Sequence, residues 1–196
     1  AQYDGCVELL KKLEIGSSTE QDCQVMEISS AFPALKRLEM LTVNLDELDY
    51  LAKRLDSFDV GEFSQFQAMA EKLQLTSMKD LINLTFCCQQ ATVITDFSDL
   101  EAIGRDHYMN LHGGCARTEE LDALDGYETA LLLIEGGGGT VTPYGVVYDN
   151  GMRLSSIYDG RHLPEFFYED CAASVTLSVI GKSEQQETLY LPCAVS

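Results

Sequence analysis

Leucines at positions 45, 48, 51 and 55 recur at steps of three and four behind Asn44. That spacing lays one apolar stripe along an α-helix. Asn44 is a favourable N-cap, and Glu47 three residues on completes a pattern close to a capping box. A helix with such a face must bury it, and the sequence supplies partners. A second helix is expected over about 62–73, burying Phe63, Phe66, Met69, Ala70 and Leu73. Ser77 opens a third, with Asp80 at its third helical position, carrying Leu81, Ile82, Leu84 and Thr85 toward Cys88. A fourth is expected over 99–107, and Thr118 with Leu121 and Leu124 suggests a short fifth.

The flanks read differently. Val7, Leu9, Leu10 and Leu13 form a helical stripe that Gly16 stops, and Cys23, Val25, Met26 and Ile28 read as a strand. After Phe32-Pro33, a short helix is expected on Leu35, Leu38 and Leu41. Strands are expected at 129–134, at 141–148 with an interruption at Pro143, at 175–180 and at 188–191. Asp149-Asn150-Gly151 and Asp159-Gly160 are turn signals. The expected fold is α+β, in small successive domains: a small α/β segment at 1–43, a helical domain at 44–115 and a β-rich α+β domain at 116–196.

Charge limits what such a body meets. Thirty-two Asp and Glu oppose thirteen Lys and Arg, for a formal charge of −19. The field of such a surface repels nucleic acid and anionic membranes and attracts cations and basic protein clefts. The acids are interleaved with apolar residues and form no unbroken run, as on a folded acidic surface rather than a disordered tail. The stretch 96–128 is densest, with nine acids against two bases. No apolar run approaches the ~20 residues of a membrane-spanning helix. Seven cysteines, an odd number that includes the adjacent Cys87 and Cys88, do not suit a secreted disulfide framework. They point to reduced thiols and a cytoplasmic setting. The chain opens on Ala1 rather than Met, and the expectation is that an N-terminal strand or a larger parent chain is missing.

Motifs for catalysis are weak. The glycines at 136–139 follow an apolar run, but no Lys-Ser/Thr follows them. A phosphate loop needs that pair, so a hairpin connection is expected instead. His112 and Cys115 form an H-x-x-C pair without the further ligands that zinc requires. No signature surrounds any cysteine as a nucleophile, and buried thiols acting as small apolar residues are the better reading. No cofactor, metal or catalytic residue is expected.

The acids gain meaning when placed on helices. Opposite the leucine face of the 44–56 helix fall Asp46, Asp49 and Asp56, about 4.5 and 10.5 Å apart along the axis at ~1.5 Å per residue. Phosphates along one DNA strand repeat every ~3.4 Å, so the spacing is of the right order for a surface that imitates a phosphate backbone. It is equally the spacing of an ordinary solvated helix face. The acids expected to bind a partner are Asp46, Glu47, Asp49, Asp56, Asp59 and Glu62, then Asp96, Asp99, Glu101, Asp106, Glu119, Glu120, Asp122, Asp125 and Glu128.

Four segments carry a family resemblance. Val43-Asn44-Leu45-Asp46-Glu47-Leu48-Asp49-Tyr50-Leu51-Ala52 and Lys79-Asp80-Leu81-Ile82-Asn83-Leu84-Thr85-Phe86 resemble paired helices of the antirestriction protein ArdA family of bacterial mobile elements. Tyr148-Asp149-Asn150-Gly151 and Ile157-Tyr158-Asp159-Gly160-Arg161 resemble later segments of its longer members. The resemblance is most specific over 40–110 and looser over 140–170. It implies an acidic, elongated protein of small successive domains, often a homodimer. It implies mimicry of bent B-form DNA, with the DNA-binding groove of a type I restriction-modification enzyme as partner. Nucleic acid and membrane are not expected partners. The alternative is a protein-interaction or regulatory module of a mobile element, with an ArdA-like fold and a different basic partner.

Overall fold

The computed structural model describes residues 23–168, together with the backbone of 173–179 and 182–191. The expected helix at 7–13 lies outside the described residues. The fold is α+β: helices dominate, and three small antiparallel sheets accompany them. Contacts divide the chain into two units, Ala1–Pro164 and Glu165–Ser196. Among the described residues no helix is long and apolar enough to cross a membrane.

The described part of the first unit begins with β1 (Cys23–Gln24), paired antiparallel to β2 (Thr42–Val43) around a 3-10 turn at Pro33–Leu38. Helix α1 (Leu45–Asp56) begins where Asn44 Oδ1 accepts from the amides of Asp46 and Glu47 at 2.8 and 3.2 Å. Its Leu51 and Leu55 are buried. Helix α2 (Val60–Lys72) follows a complete capping box made by Asp59 and Glu62. Residues 65–70 of α2 are buried on every side, so this helix is the middle of the body. Helix α3 (Met78–Leu84) starts at Ser77, whose Oγ accepts from the Asp80 amide at 3.1 Å. Thus the three expected middle helices are present, the third ending at Leu84 rather than running on toward Cys88.

A 3-10 turn at Cys88–Gln90 leads into β3 (Thr92–Ile94) and then α4 (Leu100–Leu111), α5 (Thr118–Asp122) and α6 (Gly126–Glu135). The sheet is completed by β4 (Thr140–Thr142) and β5 (Gly145–Tyr148), in the order β3-β5-β4. Thr92 faces Tyr148 and Ile94 faces Val146, while Thr140 faces Val147. Ile94, Ile103, Ala130 and Tyr148 form a small core between this sheet and the α4–α6 pair. Those two helices cross where glycine meets glycine. A Cβ on Gly104 would lie 1.8 Å from the Gly126 carbonyl oxygen, and one on Gly126 would lie 2.4 Å from that of Glu101.

Two expectations are corrected. The apolar run at 129–134 is helix α6, not a strand, because Asp125 caps it and accepts from the Glu128 amide at 2.8 Å. A short apolar run does not distinguish a buried strand from a buried helix face, and the cap decides. The glycines at 136–139 therefore leave a helix rather than join two strands, with Gly137 and Gly138 at φ 71° and 85°. The hairpin turn lies at Pro143-Tyr144 instead, between β4 and β5. The β3–β5 pairing also joins residues on both sides of the expected 115/116 domain limit.

The second unit contains a hairpin of β6 (Ala173–Val179) and β7 (Lys182–Leu191), from Ala173 opposite Leu191 to Val179 opposite Lys182, with a bulge at Ser178/Val179. The strand expected at 188–191 begins six residues earlier, at Lys182.

One buried junction ties the first unit together. Asn83 on α3 donates from Nδ2 to the Tyr158 carbonyl at 2.9 Å and accepts from the Tyr158 amide at 2.8 Å. The Tyr158 hydroxyl donates to Glu47 Oε1 on α1 at 2.6 Å. Glu47, Asn83 and Tyr158 are 6%, 1% and 2% exposed. Burial first, and then the Glu47 carboxylate, raise the Tyr158 phenol above its ordinary pKa, so it stays a donor. Tyr158→Phe leaves the Glu47 carboxylate buried without this donor and is expected to destabilise by about 1–3 kcal/mol. Adding Glu47→Met removes both polar partners and is expected to recover most of that loss. Urea unfolding of the single and double variants measures both.

Candidate functional site

The expected acids fall into three groups. Glu47 does not belong to a binding surface: it is buried, and its carboxylate serves the junction to Tyr158. The leucine stripe of α1 does not foretell this, because its burial depends on a loop more than 100 residues away.

A second group, exposed apart from the half-buried Glu62 and Glu120, also holds the fold. Asp59, Asp99 and Asp125 are N-caps of α2, α4 and α6, where a carboxylate accepts otherwise unpaired amides and faces the positive end of the helix dipole. Glu62 completes the α2 box, and its Oε1 also accepts from Gln89 Nε2 at 2.8 Å. Asp96 accepts from the amide and hydroxyl of Ser98 at 2.9 and 2.8 Å, which lowers its pKa. Glu101 pairs with Arg105 at 2.9 Å and accepts from the Tyr127 amide. Asp49 pairs with Lys53 at 2.6 Å. Glu120 pairs with Arg117, whose hydrogen bonds lower the Glu120 pKa.

The third group is exposed, apart from the half-buried Asp46. Among the described residues Asp46, Asp106, Glu119, Asp122 and Glu128 have no ion-pair partner. Asp56 is exposed on the last turn of α1.

Among the described bases several are paired or hold the fold, while Lys36, Arg153 and Arg161 are exposed. Arg37 pairs with Glu71 and donates to the Ala70 carbonyl at 3.0 Å. Lys72 pairs with Asp149 at 2.6 Å, which lowers the Asp149 pKa. Arg54 donates to the Thr85 carbonyl at 2.8 Å and stacks over the Phe86 ring at 4.6 Å. The net field at the surface is that of the carboxylates.

A cleft of about 590 Å³ opens between the start of α2, β3 and the second half of α4. Asp59, Glu62 and Asp106 are its charged lining, and no Lys or Arg among the described residues lines it. Its floor is a polar network. Gln65 Nε2 lies 2.8 Å from the Ala91 carbonyl, 3.2 Å from Asn110 Oδ1 and 3.4 Å from the Gln89 carbonyl. Asn110 and Asn150 both donate to Thr92 Oγ1, at 3.3 and 3.0 Å. That fills its acceptor positions, so the Thr92 hydroxyl donates to His107 Nδ1, 3.0 Å away. His107 is then neutral with its proton on Nε2, and burial lowers its pKa in the same sense. Apart from Asp59, Glu62 and Asp106, none of these residues was anticipated. The available signal was the run of glutamines, Gln65, Gln67, Gln89 and Gln90, set among apolar positions.

Burial raises the pKa of Cys87 and Cys88 and so disfavours their thiolates. Among the described residues no three His, Cys, Asp or Glu side chains converge to hold a metal ion. His112 stacks on Tyr108, with ring centroids 4.2 Å apart, and Cys115 is exposed. Comparison of the chain with protein-family models, with curated proteins and with solved structures returned no match.

Asp106 is exposed on α4, yet desolvation first, and Asp99 second, raise its carboxyl pKa. A raised carboxyl pKa favours the native state below its ordinary value, and that advantage is lost as pH climbs through the raised one. Solvent screening keeps the effect of an exposed group small. Asp106→Asn is expected to melt higher than wild type at pH 7. The gap should close as pH falls through the carboxylate range, and thermal melts along a pH series check it.

Proposed function

We propose that this protein is an acidic DNA mimic that inhibits type I restriction-modification enzymes by occupying their DNA-binding groove. The observation that carries the reading is the division of labour among charges. Arg37, Lys53, Lys72, Arg105 and Arg117 are each paired with a carboxylate, while Asp46, Asp106, Glu119, Asp122 and Glu128 have no ion-pair partner among the described residues and outnumber the exposed Lys36, Arg153 and Arg161. A basic groove built for phosphates meets carboxylates carried on helix ends and polar helix faces. The ArdA resemblance supports the same partner, and the α+β fold is compatible with it. No metal or cofactor takes part, and the chain acts by binding rather than by catalysis.

One observation favours the alternative of a module with a different basic partner. The segments that carry the resemblance meet at the Glu47–Asn83–Tyr158 junction and at the Lys79 Nζ to Asp159 carbonyl bond of 3.0 Å. They are fold-forming residues, so the fold is compatible with a changed partner.

Mimicry spreads binding over many carboxylates, each exposed pair contributing about 0.2–1 kcal/mol. Glu119→Gln, Asp122→Asn, Asp125→Asn or Glu128→Gln alone is expected to leave capture by an immobilised type I methyltransferase core little changed. The four together are expected to weaken capture about tenfold or more, ~1.4 kcal/mol. Asn at 125 keeps the α6 cap, so the circular dichroism melt should hold. A single variant that abolishes capture while the quadruple variant binds normally would replace distributed mimicry with a discrete site. Failure of the wild-type chain to be captured would favour the different partner.

A further inference from the structure

We infer that Asn150 is a spontaneous deamidation site that the fold holds closed, and that its conversion to aspartate or isoaspartate unties the loop after β5 from β3. This chemistry belongs to the chain alone and does not depend on the partner it binds.

The chain has four asparagines, and the residue that follows each decides its chemistry. Leucine follows Asn44, Asn83 and Asn110, whereas Gly151 follows Asn150. In deamidation the backbone nitrogen of the next residue loses its proton and attacks the asparagine Cγ. The new N–C bond closes a succinimide ring, and the Cγ–Nδ2 bond breaks as ammonia leaves with a proton. Water then opens either imide carbonyl, giving aspartate or isoaspartate. A leucine side chain shields the attacking nitrogen, and glycine has none to do so.

The fold restrains both reacting groups. Asn150 Nδ2, the leaving nitrogen, donates to the Gln90 carbonyl at 2.7 Å and to Thr92 Oγ1 at 3.0 Å. The Gly151 amide, the nucleophile, donates to Asp149 Oδ1 at 3.0 Å. A carboxylate beside that N–H opposes the loss of its proton. Lys72 holds the other oxygen of Asp149 at 2.6 Å. Asn150 itself sits in the left-handed region at φ 54°, which asparagine tolerates. These bonds are lost when the loop opens, so the folded chain reacts only as fast as its open fraction allows. A pocket of about 200 Å³, lined by Gln90, Asn110 and Asn150 among others, gives water a place beside the imide.

The product reverses the local hydrogen bonding. Aspartate at 150 has no Nδ2, so the Gln90 carbonyl faces a carboxylate in place of a donor. The Thr92 hydroxyl turns to that carboxylate and leaves His107 Nδ1, now 3.0 Å away. Isoaspartate also carries its main chain through Cβ, which lengthens the turn by a methylene.

Peptide-mapping mass spectrometry of the full chain at mildly alkaline pH, in buffer and unfolded in urea, follows each asparagine. In urea Asn150 should deamidate faster than Asn44, Asn83 and Asn110. In buffer the reaction at Asn150 should be slower than in urea by about tenfold or more. Thr92→Val removes one anchor of Nδ2, and Lys72→Met releases Asp149. Each should speed the reaction at Asn150 in buffer by about threefold or more, the effect of one lost hydrogen bond; the second variant keeps the test if the first fails to fold. Asn150→Asp supplies the product. Its amide resonances at 90–93 should shift, and the His107 imidazole should titrate at higher pH, because its neutral form loses a donor and a carboxylate is gained. Equal rates at all four asparagines in urea overturn the site. Equal rates at Asn150 in buffer and urea, or no acceleration in either variant, overturn its closure by the fold. A wild-type His107 titration in Asn150→Asp overturns the consequence for β3.

Discussion

The hydrogen-bond junction of Glu47, Asn83 and Tyr158 is the interaction on which the first unit depends. Asn83 holds both backbone groups of Tyr158, and Tyr158 reaches across to α1. One side chain thereby satisfies an amide and a carbonyl that would otherwise be buried without partners. The loop after β5 is fixed further by Lys72 on Asp149 and by Asn150 on the Gln90 carbonyl. With the loop in place, α1, α2 and α3 close around Phe66, Met69, Leu81 and Ile82, all 0% exposed.

This arrangement leaves the outer faces to acids. The N-caps Asp59, Asp99 and Asp125 serve two ends at once, because the carboxylate that completes a helix start also projects negative charge. Repulsion among so many carboxylates opposes the compact state. Pairing with Arg and Lys relieves part of it at Asp49, Glu101 and Glu120. Asp59, Glu62 and Asp106 line the cleft between α2, β3 and α4, with no Lys or Arg among its described lining residues.

Much of this was legible where local chemistry decides structure. Asn44, Ser77 and Asp99 are helix starts that announce themselves, whereas the Asp59 cap was missed by placing the second helix start near 62, and the leucine period behind Asn44 specifies the buried face of α1. The α+β class follows from the same signals. The helix at 126–135 was misread because Ala130-Leu131-Leu132-Leu133-Ile134 has no period to separate helix from strand, although Asp125 and Glu128 carried the cap. β3 was not anticipated, since three residues between a 3-10 turn and a helix give little pattern. The burial of Glu47 and the assembly of Gln65, Thr92, His107, Asn110 and Asn150 are tertiary facts. Nothing within a turn or two of those residues specifies them.

The central claim is that carboxylates on this surface stand in for DNA phosphates in a basic groove. Fluorescence anisotropy of a labelled duplex bound to a type I methyltransferase core tests it most directly, with this protein added as competitor over a series of salt concentrations. The account predicts complete displacement of the duplex and a competitor affinity that falls steeply as added salt shortens the screening length toward ~8 Å at 0.15 M. A duplex that stays bound at every salt concentration, or a displacement indifferent to salt, would contradict it.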